Sequence, residues 1–167
     1  MRAMYDLDTF LRYFDKVRER TLRVAACIPE DKFETSATGK GFTFGELLRH
    51  LAGLERFMFA ENAAGRPSSY PGHDTSLASG REATLAYITR LHEEAMAIFR
   101  SIGDEGMLAP CVTPGNASMP TWKWLRSMVE HEAHHRGQIY TYLSILDIPT
   151  PPLYGLTAEE VLARSKR

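Results

Sequence analysis

The stretch from Thr121 to Leu146 reads TWKWLRSMVEHEAHHRGQIYTYLSIL, and its apolar residues follow a regular repeat. Apolar residues and histidines recur at alternating steps of four and three, which is the spacing of the buried face of a helix in a bundle. This face carries Trp124, Met128, His131, His135, Gln138, Tyr142 and Ile145. It is widened on one side by Leu125, Val129, Ile139, Leu143 and Leu146. The pattern predicts a long amphipathic helix with two histidines on its buried side.

His131 and His135 are separated by one helical turn. At this spacing the two Cβ atoms lie about 5–6 Å apart, so both imidazoles can point at one ion. The alternative is that each is a core histidine with an ordinary hydrogen-bond partner. Two imidazoles in one apolar layer bury several polar nitrogens, and a single cation would satisfy both rings. The pair therefore predicts a metal site, with His134, on the solvent side, as a weaker alternative ligand.

Three further segments have helical periodicity, and they run from about Asp8 to Ala26, from Thr43 to about Ala64 and from Ser79 to about Ile102. The second and third segments, and a short C-terminal helix from Thr157, open with T/S-x-x-E, the sequence of a capping box. Cys111 and its neighbours, in the connector before Thr121, are expected to form half of a small hairpin. The spacing predicts an all-α four-helix bundle with long connectors, in a single domain spanning 1–167.

The second helix adds a third histidine to the candidate site. His50 lies on the inward face between Leu47 and Leu54, where a lone histidine is more often a core residue. Together with the pair on the last long helix, it supplies a third ligand. Three neutral imidazoles with one open position describe a catalytic rather than a structural zinc site. One divalent transition metal, zinc or nickel first, is expected because histidine-only sites accept several such ions.

Composition narrows the class of protein. The 167 residues carry a formal net charge of −1, with 44% hydrophobic and 25% charged residues. There is no basic run, no apolar run long enough to span a bilayer and no apolar signal-peptide core. Cys27 and Cys111 are isolated thiols, which fit a reducing compartment. We therefore expect a cytoplasmic protein with neither nucleic acid nor a membrane as its main partner. A small-molecule substrate is expected from the open position of the candidate metal site.

Two motifs carry a resemblance to a known family. They are LLRHL at 47–51 and HEAHHRGQ at 131–138. With these motifs the chain resembles the DinB/YfiT-like family of damage-inducible metalloproteins, which is unrelated to the DNA polymerase of similar name. The resemblance implies an up-down-down-up four-helix bundle and a divalent metal held by His50, His131 and His135. It also implies a homodimer.

Characterised members of this family suggest a reaction. They include metal-dependent transferases that use low-molecular-weight thiols, such as bacillithiol S-transferases and mycothiol-dependent maleylpyruvate isomerase. The resemblance therefore implies a metal-dependent enzyme that activates a thiol or water, with a low-molecular-weight thiol as one expected substrate.

Three other interpretations stay open at this point. The segment from His131 to His135 also satisfies H-E-x-x-H, in which Glu132 would be the general base of a metal-dependent hydrolase. A di-iron site would need Glu-x-x-His on two helices, and only Glu132 with His135 fits. The protein could also hold a metal without catalysis, as a stress-response protein.

Other side chains receive specific expectations. Gln138 lies on the ligand stripe and can support a ligand histidine. Arg49, Arg56 and Arg136 could bind a substrate carboxylate, although surface salt bridges are favoured for them. Gly137 is expected to allow close approach of a neighbouring helix. His73 is expected to be a loop residue and His92 to lie on or beside the solvated face.

Overall fold

The computed structural model describes residues 6–165, and most of them are helical. The helices are α1 (Leu7–Ala25), α2 (Phe44–Leu54), α3 (Ala60–Ala63), α4 (Gly80–Leu108), α5 (Thr121–Ile145) and α6 (Ala158–Ser165). A π-helical turn, Glu55–Phe59, joins α2 and α3 into one continuous rod, which we call the α2–α3 rod. Strands β1 (Pro110–Val112) and β2 (Ser118–Pro120) pair antiparallel. The predicted all-α fold and the hairpin at Cys111 are both confirmed.

Contacts between helices establish their directions. In a parallel pair of helices, the numbers of the contacting residues increase in the same direction. The α2–α3 rod is parallel to α4 (Arg49–Thr84, Arg56–Glu94), and α1 is parallel to α5 (Arg18–Glu132, Thr21–Arg136). The rod is antiparallel to α5, because residue numbers increase along one and decrease along the other (Phe44–Tyr142, Phe59–Trp124). The four long elements are therefore arranged up-down-down-up, as predicted.

The core consists of two apolar clusters with a polar layer between them. One cluster surrounds Phe44 and Leu143, and the other surrounds Phe14 and Phe99. Along α1, Arg18 and Thr21 separate the residues of the two clusters. The remaining members of this buried polar layer are Glu55, Glu132, His135 and Arg136. The candidate metal ligands therefore lie at the level where the apolar core is interrupted.

The buried face of α5 agrees in part with the predicted one and differs from it mainly in the burial of Glu132 and Arg136. It consists of Leu125, Met128, Glu132, His135, Arg136, Ile139 and Leu143, together with Thr121 at the start of the helix. Ile145, predicted to be buried, is 53% exposed. The difference arises because Glu132 and Arg136 find buried polar partners on α1, which allows charged residues to occupy the centre of the face. His131 is consequently half-buried at the edge of the core.

Helix ends follow the sequence signals in part. Thr43 forms the predicted capping box, and so does Thr157. Ser79 makes no capping hydrogen bond, so that prediction is wrong. The first N–H group of α4 donates instead to the Glu34 carboxylate. Helix α4 also continues beyond the predicted end at Ile102, although Gly103, with φ +64°, interrupts its helical backbone at that point.

Two further observations concern the helix surfaces. Gly137 is exposed, and a Cβ placed on it would meet nothing within 4 Å, so the predicted close helix approach there is wrong. Across residues 6–165, none of the helices has the length and apolar character that crossing a membrane requires.

Candidate metal centre

The structure brings together the three histidines that the sequence singled out. His50 projects from α2, and His131 and His135 project from consecutive turns of the antiparallel α5. One ring nitrogen from each lies within 4.8 Å of the others, and the group could hold a metal ion. The Nε2 atoms of His50 and His131 are 3.1 Å apart. This convergence follows from the packing of the α2–α3 rod against α5 and from the one-turn spacing on α5.

The donor set fits a divalent transition metal. Nitrogens bound tetrahedrally to zinc at about 2.0–2.1 Å are roughly 3.3 Å from one another, which is close to the observed separation of the two Nε2 atoms. Burial and the neighbouring imidazoles lower the pKa of His50 to about 4 and that of His131 to about 3. Burial also lowers the pKa of His135. The three rings are therefore neutral near pH 7, the state in which an imidazole nitrogen can bind a cation.

Two hydrogen bonds orient the candidate ligands from behind. Nδ1 of His135 bonds to Oε1 of Gln138, the supporting role expected for this residue. Nδ1 of His50 bonds to the hydroxyl of Tyr70 at 2.8 Å. Burial raises the pKa of Tyr70 to about 12, so the phenol keeps its proton. The amide oxygen of Gln138 accepts, so it places the His135 proton on Nδ1 and leaves Nε2 free for a cation. The Tyr70 hydroxyl can accept from Nδ1 of His50 in the same way when a cation occupies Nε2.

Nothing in the sequence pointed to Tyr70, because it lies in an irregular loop, residues 64–79, where no periodicity reveals which side chain turns inward. His73 belongs to the same loop, as expected, but its Nδ1 lies 2.9 Å from the Tyr70 hydroxyl. The Phe42 ring lies beside both His50 and His73, with ring centroids 5.4 and 4.7 Å away. His134, in contrast, is exposed on α5.

The three arginines considered for substrate binding are all engaged within the protein. Arg49 is fully buried and bonds to both carboxylate oxygens of Glu34. Arg136 is also buried and bonds to a carbonyl and a hydroxyl group of α1. Arg49 does form a salt bridge, with the partly exposed Glu34, but its own side chain is buried. The expected surface position is therefore wrong for both residues. Arg56 does form partly exposed ion pairs, one of them with Glu94.

A buried ion pair that the sequence analysis did not identify lies beside the histidines. Nη2 of Arg18 is 2.5 Å from Glu55 and 2.9 Å from Glu132, and all three residues are almost completely buried. Arg18 lies one helical turn after the buried Phe14. This spacing in the sequence could have indicated that its side chain points inward. The Glu132 carboxylate is thereby held by a cation on α1, an arrangement that does not suit the general base of an H-E-x-x-H hydrolase.

His92 extends this ion pair towards the surface. Its Nδ1 bonds to Glu55 at 2.7 Å and its Nε2 to Asp15 at 3.0 Å. The side chain is 12% exposed and pairs with the exposed Asp15, so His92 lies beside the solvated face and not on it. Burial disfavours the charged ring, but the two carboxylates outweigh burial and raise the pKa of His92. The π-helical turn begins at Glu55, and such turns occur often at functional sites.

Fold and donor set together define a helical-bundle protein with a candidate three-histidine metal centre. The family model of the DinB superfamily matches residues 13–139, which include all three histidines. The chain therefore belongs to the DinB superfamily, in agreement with the resemblance seen in the sequence.

Comparison with individual proteins adds support for the fold. A search of curated proteins found no match. Among solved structures, this fold is similar to the crystal structure of a DinB-like protein from Bacillus cereus, with a TM-score of 0.71. The two sequences are 15% identical, and the match covers 87% of this chain and 95% of that one.

Proposed function

We propose that the protein is a metal-dependent enzyme that activates a low-molecular-weight thiol, or water, for attack on an electrophilic small molecule. The observation that carries the proposal is the convergence of His50, His131 and His135 within 4.8 Å. The sequence resemblance to thiol-dependent transferases favours a thiol over water. Zinc or nickel is the metal that we expect at this site.

The charge of the donor set suits this chemistry. Three neutral imidazoles leave the full positive charge of a divalent ion uncompensated, and such an ion lowers the pKa of a bound thiol or water towards neutrality. His50 and His131 are half-buried rather than enclosed, so a small molecule can reach their side of the bundle. The nearest acid in sequence, Glu132, is held by Arg18 and does not add a negative charge to the donor set.

A turnover assay tests the proposal. Zinc- or nickel-loaded protein is mixed with a low-molecular-weight thiol and a halogenated aromatic electrophile, and thioether formation is followed by chromatography. We expect steady turnover that His50→Ala abolishes and that the control His134→Ala, at an exposed position of α5, leaves within about twofold. Turnover of an ester with no thiol present would assign the protein to the hydrolases instead. A metal-loaded protein that converts neither class of substrate would favour a non-catalytic role in stress response.

We infer two further properties, a cellular location from the sequence and an oligomeric state from the family resemblance. The protein is expected to act in the cytoplasm, which agrees with the free thiols of Cys27 and Cys111. It is also expected to form a homodimer, which light scattering coupled to gel filtration can check. A monomer at micromolar concentration would contradict the second expectation.

A further inference from the structure

A chain of hydrogen bonds connects the loop 64–79 to the candidate metal centre. The Tyr70 hydroxyl lies 2.8 Å from Nδ1 of His50 and 2.9 Å from Nδ1 of His73. A cation on Nε2 of His50 would leave the ring proton on Nδ1, from which it would be donated to the phenol oxygen. The phenol O–H would then donate to Nδ1 of His73. One hydroxyl is thus placed to support the metal-binding tautomer of a candidate ligand and to bond to a second imidazole.

The rod contains a glycine that the Tyr70 ring requires. Gly53 is buried, one turn beyond His50 on α2. A Cβ placed on Gly53 would lie 2.9 Å from Cε2 of Tyr70 and 3.3 Å from its Cδ2. The first separation is shorter than real side chains tolerate, so alanine here would displace the ring. Glycine weakens a helix interior, and close packing of the tyrosine explains why it stands at this position.

The loop that carries Tyr70 is anchored next to the same histidine. Arg49 donates from Nε to the backbone carbonyl of His73 at 2.8 Å and from Nη1 to that of Ala78 at 2.9 Å. Its guanidinium group is held in turn by both oxygens of Glu34. The side chain that precedes His50 in the sequence therefore fixes the loop, and the loop fixes the ring of His50.

We propose that Tyr70 is a positioning residue of the metal centre, with His73 as its outer partner and the loop 64–79 as its support. This inference rests on the metal site of the proposed function. A group that orients a ligand imidazole changes metal affinity by about 10- to 100-fold when it is removed. Tyr70→Phe keeps the ring beside Gly53 and removes only the hydroxyl, so it isolates the hydrogen bond from the packing.

Zinc affinity, measured by competition with a chromogenic chelator, tests the inference. We expect Tyr70→Phe to weaken zinc binding about 10- to 100-fold and His73→Phe to weaken it less, because the bond to His50 remains. Gly53→Ala should resemble Tyr70→Phe, since the added Cβ displaces the tyrosine ring. The control is Tyr140→Phe, which removes a hydroxyl bonded to the Pro151 carbonyl and should leave the affinity unchanged.

A second readout separates positioning from general stability. The visible spectrum of the cobalt-substituted protein should change in Tyr70→Phe and not in Tyr140→Phe, while the metal-free forms of both variants melt at similar temperatures. Wild-type zinc affinity and an unchanged cobalt spectrum in Tyr70→Phe would overturn the inference and leave the proposed function intact. A wild-type protein that binds no zinc or cobalt would refute the proposed metal site and this inference with it.

Discussion

The Nε2 atoms of His50 and His131 lie 3.1 Å apart, although the two residues are 81 positions apart in the chain and belong to antiparallel helices. Their meeting depends on the rotation of α5 about its axis. Glu132, the residue after His131, points into the core and pairs with Arg18 of α1. With Glu132 directed inward, His131 is left at the edge of the core facing the α2–α3 rod. The buried ion pair and the candidate metal centre are therefore parts of one arrangement.

Removal of Arg18 should destabilise the bundle strongly. Its guanidinium group bonds to Glu55 and Glu132, so Arg18→Met leaves two carboxylates buried without that cation. Loss of one partner of a buried ion pair reduces the free energy of unfolding by about 3–5 kcal/mol. Urea denaturation of the metal-free protein measures the change. The control is Arg12→Met, an exposed position on the same helix, where a change within about 0.5 kcal/mol is expected.

A neutralised version of the ion pair provides a second check. Arg18→Met combined with Glu55→Gln and Glu132→Gln contains no buried charge at these three positions. Such replacements often restore stability because the desolvation penalty disappears with the charges. If Arg18→Met alone proves as stable as Arg12→Met, the ion pair does not hold the bundle together as described.

Protonation of His92 should make the free energy of unfolding depend on pH. The groups that face its ring are Glu55, Asp15, Arg18 and Phe14. The folded protein raises the pKa of this ring above the ordinary value of 6.5, so the folded state binds the proton more tightly than the unfolded state. The resulting stabilisation is complete below the unfolded pKa and is lost as the pH rises through the folded pKa.

Comparison with His92→Gln isolates this contribution. Urea denaturation of the metal-free wild type and the variant, from about pH 5.5 to pH 9, should show a difference in unfolding free energy that shrinks as the pH rises. A difference for His92→Gln that grows with pH would contradict a raised pKa.

Two sequence motifs of the same form should differ in their effect on stability. Thr43 accepts a hydrogen bond from the Glu46 N–H group at 3.1 Å, whereas Ser79 makes no capping bond. Thr43→Ala should therefore lower the free energy of unfolding by about 1 kcal/mol. Ser79→Ala should change it by less than about 0.5 kcal/mol. Equal losses in both variants, measured by urea denaturation, would show that the capping geometry does not decide the outcome.

Periodicity made the long helices and the grouping of the histidines predictable. His131 and His135 share a face because a helix has 3.6 residues per turn, and His50 stands on an equally regular face of α2. The same reasoning failed for Arg18 and Glu132. Charged side chains are usually solvated, and only the meeting of α1 and α5 shows that these two neutralise each other in the core.

Contacts between distant segments explain the remaining failures. Ser79 has the sequence of a capping residue, but Glu34 from another connector binds the start of α4 in its place. Tyr70 lies in a loop, where spacing carries no information about which side chain turns inward. Its position depends on the anchoring of the loop by Arg49, a residue that the sequence suggested for the surface.

The metal content of the purified, untagged protein tests whether His50, His131 and His135 form a metal site. We expect about one equivalent of zinc, nickel or another divalent transition metal in the wild type, lost in each of His50→Ala, His131→Ala and His135→Ala and retained in His134→Ala. A wild-type protein that is metal-free and cannot be loaded, with the three variants losing only stability, would contradict the metal site and make these histidines ordinary residues of a polar layer.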